Sequence, residues 1–337
     1  MQIAEVKERA EKICDNMEQV IVGKRTQIKY VLAAFLAGGN VLLEDVPGTG
    51  KTMLSKSLAA SFDMEFGRIQ FTPDLLPSDV TGVNFFDPQK NQFEFRKGPV
   101  FTNILLGDEI NRATPRTQSS LLECMEEHQV TVDGETMPLN EPFFVIATQN
   151  PVEMAGTFPL PQAQLDRFMI QLSLGYPEEE AELDLLERYV KKGNTLSSLQ
   201  AVCDAQTLLE MRQACEQVTV HRSILEYARN IAKRTREEKK LALGVSTRGV
   251  IALISMARAY AAVCGEEFVT PDRIKELAPL VYAHRIISED PFLTQRTTKD
   301  VMRDLIKAVE VPTEDVAAVM DGDLDIFING YLKWINS

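Results

Sequence analysis

A chain of 337 residues exceeds the usual size of one hydrophobic core, so two packed units with additions are expected. An apolar fraction of 45% is that of an ordinary globular protein and excludes wholesale disorder. The net charge of −13 gives an acidic field that opposes nonspecific binding to nucleic acid or anionic membrane, both of which require a basic surface.

Met1 to Val20 reads as a charged amphipathic segment, not a secretory leader. No apolar run is expected to reach the length of a membrane span: Val31 to Leu43 is short and contains two glycines. Val41-Leu42-Leu43 is the first near-continuous apolar strand. It leads into Asp45-Val46-Pro47-Gly48-Thr49-Gly50-Lys51-Thr52, which matches the phosphate-binding pattern G-x-x-x-x-G-K-[ST] in all but its first glycine, where Asp45 stands. Gly48 and Gly50 let backbone N–H groups surround phosphate oxygens, helped by the N-terminus of the following helix. Lys51 would reach the outer phosphates, and the Thr52 hydroxyl would ligate Mg²⁺. A carboxylate aimed at a triphosphate would repel it, so Asp45 is expected to point away from the loop.

Phe85 to Phe95 reads as a hairpin around the polar turn Asp87-Pro88-Gln89-Lys90-Asn91. Ile104-Leu105-Leu106-Gly107-Asp108-Glu109 is an apolar strand ending in two acids. Downstream of a phosphate loop, Asp108 suits the Mg²⁺ shell and Glu109 suits the base that activates water. His128 to Leu139 forms a second hairpin candidate around Asp133-Gly134. Each hairpin reads either as a plain surface feature or as a moving contact loop. Phe143 to Ile146 is a further strand, ending in Ala147-Thr148-Gln149-Asn150-Pro151. Asn150 could position water or touch a γ-phosphate, or it could cap a turn before proline. Arg167, within Leu165-Asp166-Arg167-Phe168, precedes the strand Met169 to Leu172, and alone it reads as a surface residue paired with Asp166. Such continuous apolar strands suit a parallel α/β sheet covered on both faces, with ligands beyond the strands' carboxyl ends.

After Gly175-Tyr176-Pro177 the pattern turns helical. Ile224, Ala228 and Ile231 form one stripe, and Val250, Leu253, Ile254, Ala257 and Ala261 another; both are core faces. Ser246-Thr247-Arg248-Gly249 opens a helix, where Arg248 could be a capping-region charge. Thr270-Pro271-Asp272 starts the next. The basic run Lys233 to Arg236 is followed by Glu237 and Glu238, as on a solvated helix face. Residues 1–176 thus read as the α/β unit and 177–309 as a smaller helical one. A tail, 310–337, carries Phe327, Tyr331, Leu332 and Trp334 and would dock on the chain's own body or bind a partner. Five scattered cysteines without a C-x-x-C pair, and three histidines far apart, suggest reduced thiols in a cytoplasmic setting, not disulfides or zinc.

In this order the residues resemble an AAA+ ATPase and, more narrowly, the MoxR family. The resemblance runs from Val20-Ile21-Val22-Gly23-Lys24 to about Ala308. It is carried by Gln70 to Asp79 (QFTPDLLPSD), Gly107 to Ala113 (GDEINRA), Ala147 to Pro151 and Leu160 to Phe168 (LPQAQLDRF). It implies an α/β P-loop parallel-sheet domain with a helix-2 insert at Phe85–Phe95 and a pre-sensor-1 hairpin at His128–Leu139. A smaller all-helical lid domain would follow. ATP would be held by Val22 and Gly23 near the adenine and by Pro47, Gly48, Thr49, Gly50, Lys51, Thr52 and Met53 around the phosphates. Mg²⁺ would fall to Thr52 and Asp108. Glu109 would be the base, Asn150 sensor 1, Arg248 sensor 2, and Arg167 an arginine finger reaching the neighbouring subunit's nucleotide. Arg112 and Arg116 could also act across that interface. An acid at Asp45 is familiar among MoxR-like chains. The resemblance further implies a hexameric ring that remodels a client protein, often one with a von Willebrand A domain, without nucleic acid. The alternatives are an assembly module with negligible turnover, against which Glu109 and Arg167 speak, a nucleic-acid motor, against which the acidic balance speaks, and a magnesium-chelatase-like role.

Overall fold

The computed structural model describes residues 1–150, 156–192, 196, 199–289 and 295–309; the tail expected at 310–337 lies outside them, as does Pro151. The strands are β1 (Asn40–Glu44), β2 (Phe66–Gln70), β3 (Gly82–Asp87), β4 (Gln92–Lys97), β5 (Ile104–Asp108), β6 (Gln129–Val132), β7 (Glu135–Pro138), β8 (Phe144–Gln149), β9 (Phe168–Leu172), β10 (Leu241–Leu243) and β11 (Ile287–Ser288). In the α/β unit the helices are α1 (Ile3–Glu18), α2 (Arg25–Leu36), α3 (Lys51–Ser61), α4 (Pro77–Thr81), α5 (Pro115–Glu127) and α6 (Gln162–Leu165). Beyond it come α7 (Glu179–Lys192), α8 (Ala205–Cys215), α9 (Arg222–Glu237), α10 (Thr247–Cys264), α11 (Pro271–Tyr282) and α12 (Gln295–Ala308).

Five strands form a parallel sheet in the order β2-β5-β8-β1-β9. Its strands are apolar on both faces because both are covered. Val41, Leu43, Ile104, Leu106, Phe144 and Ile146 enter one core with α1, α2 and α3, while Leu42, Leu105, Val145 and Ala147 enter the other with α5. Register places Gln70 opposite Asp108 and Glu44 opposite Gln149, so the carboxyl ends of four strands share one edge. The strand at the β2 edge has no counterpart in the sequence reading. Its only buried residue is Ile69, and Arg68 and Gln70 hide the apolar signal that the central strands display.

Both expected hairpins are present, as β3–β4 and β6–β7, and they touch through Asn84 Nδ2, which donates to Asp133 Oδ2 at 2.7 Å. The helical unit also carries a short antiparallel ribbon, β10–β11. The core does not break where the character of the sequence changes. α10 packs on α1 and α2 as well as on α11. Tyr30 of α2 and Tyr260 of α10 both donate to Glu276 Oε1 of α11, at 2.8 and 2.9 Å. Contrary to the expectation that no apolar run reaches span length, α10 is long and apolar enough to cross a membrane by length and composition, because its small alanines add to the apolar stripe read as a core face. Here half of it is buried, and Leu253, Met256, Ala257 and Ala261 lie in the protein core. Phe35 stacks between Phe62 and Phe144, centroids 5.5 and 4.6 Å away, with the Arg212 guanidinium over its ring. That cluster ties α2, α3, β8 and α8 together.

Candidate functional site

The loop after β1 ends at Gly50, whose φ of +89° is open to glycine and strained for a side chain; α3 starts at the next residue. A cleft of about 350 Å³ opens at this helix N-terminus. One wall is Pro47, Gly48, Gly50, Lys51, Thr52 and Met53. The other is Asp108 and Glu109 from the end of β5, with Thr148, Gln149 and Asn150 from the end of β8. Three sequence motifs far apart in the chain therefore meet in one place. Space around Gly48 is open, so a phosphate can approach the backbone there. Lys51 Nζ donates to the carbonyls of Asp45 and Val46, at 3.0 and 2.9 Å, and thereby stays folded along the loop. Thr49 turns its hydroxyl onto the Val46 carbonyl at 3.3 Å and does not line the cleft.

Asp45 points away from the cleft. Buried, it accepts from Ser173 Oγ at 2.7 Å and from the backbone N–H groups of Leu174 and Gly175 at 2.6 and 3.0 Å. The residue that departs from the phosphate-loop pattern is thus the anchor of the chain leaving β9.

The two acids of β5 are held differently. Asp108 Oδ1 accepts from Thr148 Oγ1 at 2.7 Å, and Oδ2 pairs with Arg68 at 2.6 Å. Glu109 sits at a φ of +58°, an uncommon conformation for a non-glycine residue, and its N–H donates to Thr148 Oγ1 at 2.9 Å. Its Oε2 accepts from Gln70 Nε2 at 2.9 Å and pairs with Arg112 at 3.0 Å. No local pattern in the sequence marks Arg68, Gln70 or Thr148 as partners of these acids. The latter two lie in motif stretches, but only the register of β2, β5 and β8 brings them to the acids. Among the described residues no group of three or more His, Cys, Asp or Glu is placed to hold a metal. A hydroxyl and a carboxylate facing a phosphate site do suit Mg²⁺, which takes one or two protein oxygens and completes its shell with phosphates and water.

Val22 and Gly23 lie outside the cleft lining, on the segment leading to α2. The same segment reaches the loop through Ile21, whose side chain lies 3.8 Å from where a Cβ on Gly50 would stand. Gly23, at φ +71°, abuts α7 so closely that a Cβ would stand 2.7 Å from that of Ala181. Arg167 and Arg248 also lie outside the lining and instead share one carboxylate, that of Glu126 on α5. Neighbouring Asp166, the expected partner of Arg167, instead pairs with buried Arg285 at 2.7 Å.

A sequence model of the ATPase family associated with various cellular activities (AAA) matches residues 40–170, and a model of the AAA lid domain matches residues 233–305. The uncharacterised protein YeaC of Bacillus subtilis is 47% identical over 304 residues, covering 90% of this chain and 95% of its own length. Chaperone MoxR1 of Mycobacterium tuberculosis is 35% identical over 306 residues, covering 88% and 80%. A crystal structure of a Cytophaga hutchinsonii protein assigned as an ATPase superposes with a TM-score of 0.84 at 37% identity, covering 92% of this chain and 97% of that one.

Proposed function

This chain belongs to the MoxR family of AAA+ ATPases and is an ATP hydrolase of chaperone type; on that premise we propose that it works as a ring of subunits sharing each active site. ATP binds in the cleft after β1, with the adenine toward Val22 and Gly23 and the phosphates on the loop Pro47 to Met53. The carbonyls of Asp45 and Val46 release Lys51 as it turns to the outer phosphates. Thr52 and Asp108 would hold Mg²⁺, which would supply neutralisation of charge on the phosphate oxygens. Glu109 accepts the proton of the attacking water, and Asn150 orients that water against the γ-phosphate.

Arg167 completes the site from the neighbouring subunit. Support for this comes from one observation: the cleft holds the loop, the acids and Asn150, yet Arg167 and Arg248 lie outside its lining. An arginine supplied in trans is worth on the order of 10³ to 10⁵ in rate in related phosphoryl transfers, so the isolated subunit hydrolyses ATP slowly. The ring is a hexamer in the cytoplasm, and its client is a protein, with a von Willebrand A domain the expected class. The β3–β4 hairpin exposes Val83, Phe85, Phe86 and Phe93, an apolar surface suited to gripping such a client. Mixing inactive Lys51→Ala with inactive Arg167→Ala subunits tests the shared site. ATPase activity should return, because each subunit donates what the other lacks, and no recovery at any ratio would refute the reading.

A further inference from the structure

Glu126 has no place in the nucleotide cleft, yet it organises both arginines found outside it. Its Oε2 takes Nη2 of Arg167 at 2.9 Å, and its Oε1 takes Nη2 of Arg248 at 2.5 Å. Arg167 comes from the α/β unit, between α6 and β9, whereas Arg248 comes from the first turn of α10 in the helical unit. A single carboxylate on α5 therefore joins guanidinium groups from both units.

The segments behind these side chains are already fixed. Arg285, 3% exposed, donates to Asp166 Oδ1 at 2.7 Å, to the Asp166 carbonyl at 3.1 Å and to the Phe168 carbonyl at 2.6 Å, so the backbone on either side of Arg167 is pinned. Ser246 caps α10 through the N–H of Gly249 and donates to Asp166 Oδ2 at 3.3 Å, which sets the root of Arg248 beside that of Arg167. Only the long side chains themselves are left to be ordered. Two guanidinium groups this close repel each other, and Glu126 is the anion that both contact. Its carboxyl is held below the ordinary range, chiefly by the hydrogen bond from Arg248, so it is ionised at neutral pH.

Stability does not account for the arrangement. Arg167 and Glu126 are about one-third exposed (31% and 32%) and Arg248 about half (53%), and ion pairs this open to water contribute little to folding. What they do achieve is preorganisation. Each guanidinium meets Glu126 through one nitrogen, and the trio retains one net positive charge, suited to a second, external anion.

We propose that Glu126 is a positioning residue of the shared ATPase site, holding Arg167 and Arg248 together as the pair presented to the γ-phosphate of ATP on the neighbouring subunit. This rests on the reading of Arg167 as a donated residue.

The test uses full-length Glu126→Ala, with isosteric Glu126→Gln read in the same way should the alanine variant not fold. In assembled protein, kcat should fall about tenfold or more, as misplaced catalytic groups do, while KM for ATP stays within about twofold. Mixed with Lys51→Ala subunits, which carry an intact arginine pair, Glu126→Ala should regain turnover. Mixed with Arg167→Ala subunits it should not, since both are defective donors. An unchanged kcat, recovery with Arg167→Ala but not with Lys51→Ala, or a loss that merely tracks disassembly in light scattering would overturn the proposal. The Lys51→Ala/Arg167→Ala mixture run alongside separates the two levels. Its failure sinks the shared site, whereas its success with the wrong pattern for Glu126 sinks only the positioning role.

Discussion

Completing the phosphate-loop consensus by Asp45→Gly should weaken this protein and leave its affinity for ATP without benefit. The Asp45 carboxylate is 5% exposed and accepts two backbone N–H groups and a hydroxyl, none of them from the phosphate loop. Removing it strands the buried N–H of Leu174, at about 1–3 kcal/mol, and loses charge-assisted bonds to Gly175 and Ser173. Both of those are partly exposed and recover some hydration, so about 3 kcal/mol in total is a fair expectation. At about 2–4 °C per kcal/mol, the Tm should drop by about 6–12 °C. Asp45→Ala should behave similarly, and Asp45→Gly somewhat worse because it also frees the unfolded backbone. Asp45→Asn should fall between these and the parent, since its amide NH₂ can face only one side of the donor cluster. Scanning calorimetry without nucleotide measures the stability term, and nucleotide titration measures the other. An unchanged or higher Tm in Asp45→Gly, or ATP affinity rising tenfold, would show that the carboxylate acts on the phosphates and not on the chain after β9.

Glu109→Gln should keep ATP binding and lose turnover, giving a trapped nucleotide complex; unchanged hydrolysis would remove Glu109 from the role of base. Phe35→Ala should cost about 3–5 kcal/mol in denaturant unfolding, because its ring is fully buried between Phe62 and Phe144. Arg285→Ala should cost about 3–5 kcal/mol, since it leaves the Asp166 carboxylate without its ion-pair partner and removes the guanidinium's bonds to the Asp166, Phe168 and Met169 carbonyls. A shift below about 1 kcal/mol in either variant would contradict the packing described. Burial pushes the thiols of Cys14, Cys124 and Cys215 from 9.0 up to about 12. A folded pKa raised in this way leaves stability intact below pH 9 and erodes it as pH climbs from 9 toward 12. These thiols should therefore resist alkylation at pH 8 until the chain unfolds, and rapid labelling of the native protein would refute their burial.

Most of the nucleotide cleft could be read along the chain. The central strands are buried on both faces, so their apolar runs stand out, and the groups they deliver follow at once: Lys51 and Thr52 after β1, Asp108 and Glu109 at β5, Asn150 after β8. The orientation of Asp45 was legible too, by electrostatic argument alone, although its partners Leu174 and Gly175 were not. Strand β2 escaped because an edge strand with Arg68 and Gln70 on it lacks the apolar signature. With it went Arg68 and Gln70, two of the side chains that hold Asp108 and Glu109.

By itself, then, the sequence determined which chemical groups stand at the carboxyl ends of which strands, because local hydrophobic pattern and short motifs depend on neighbours in the chain. Tertiary structure alone decided how those groups are restrained and paired. Thr148 joins Asp108 to the backbone of Glu109, Gln70 holds the Glu109 carboxylate, and Glu126 gathers Arg167 and Arg248. Each of these contacts needs strand order, register, or the seating of α10 against α5 and β9. Those follow from the packing of whole faces, which no single stretch of residues encodes.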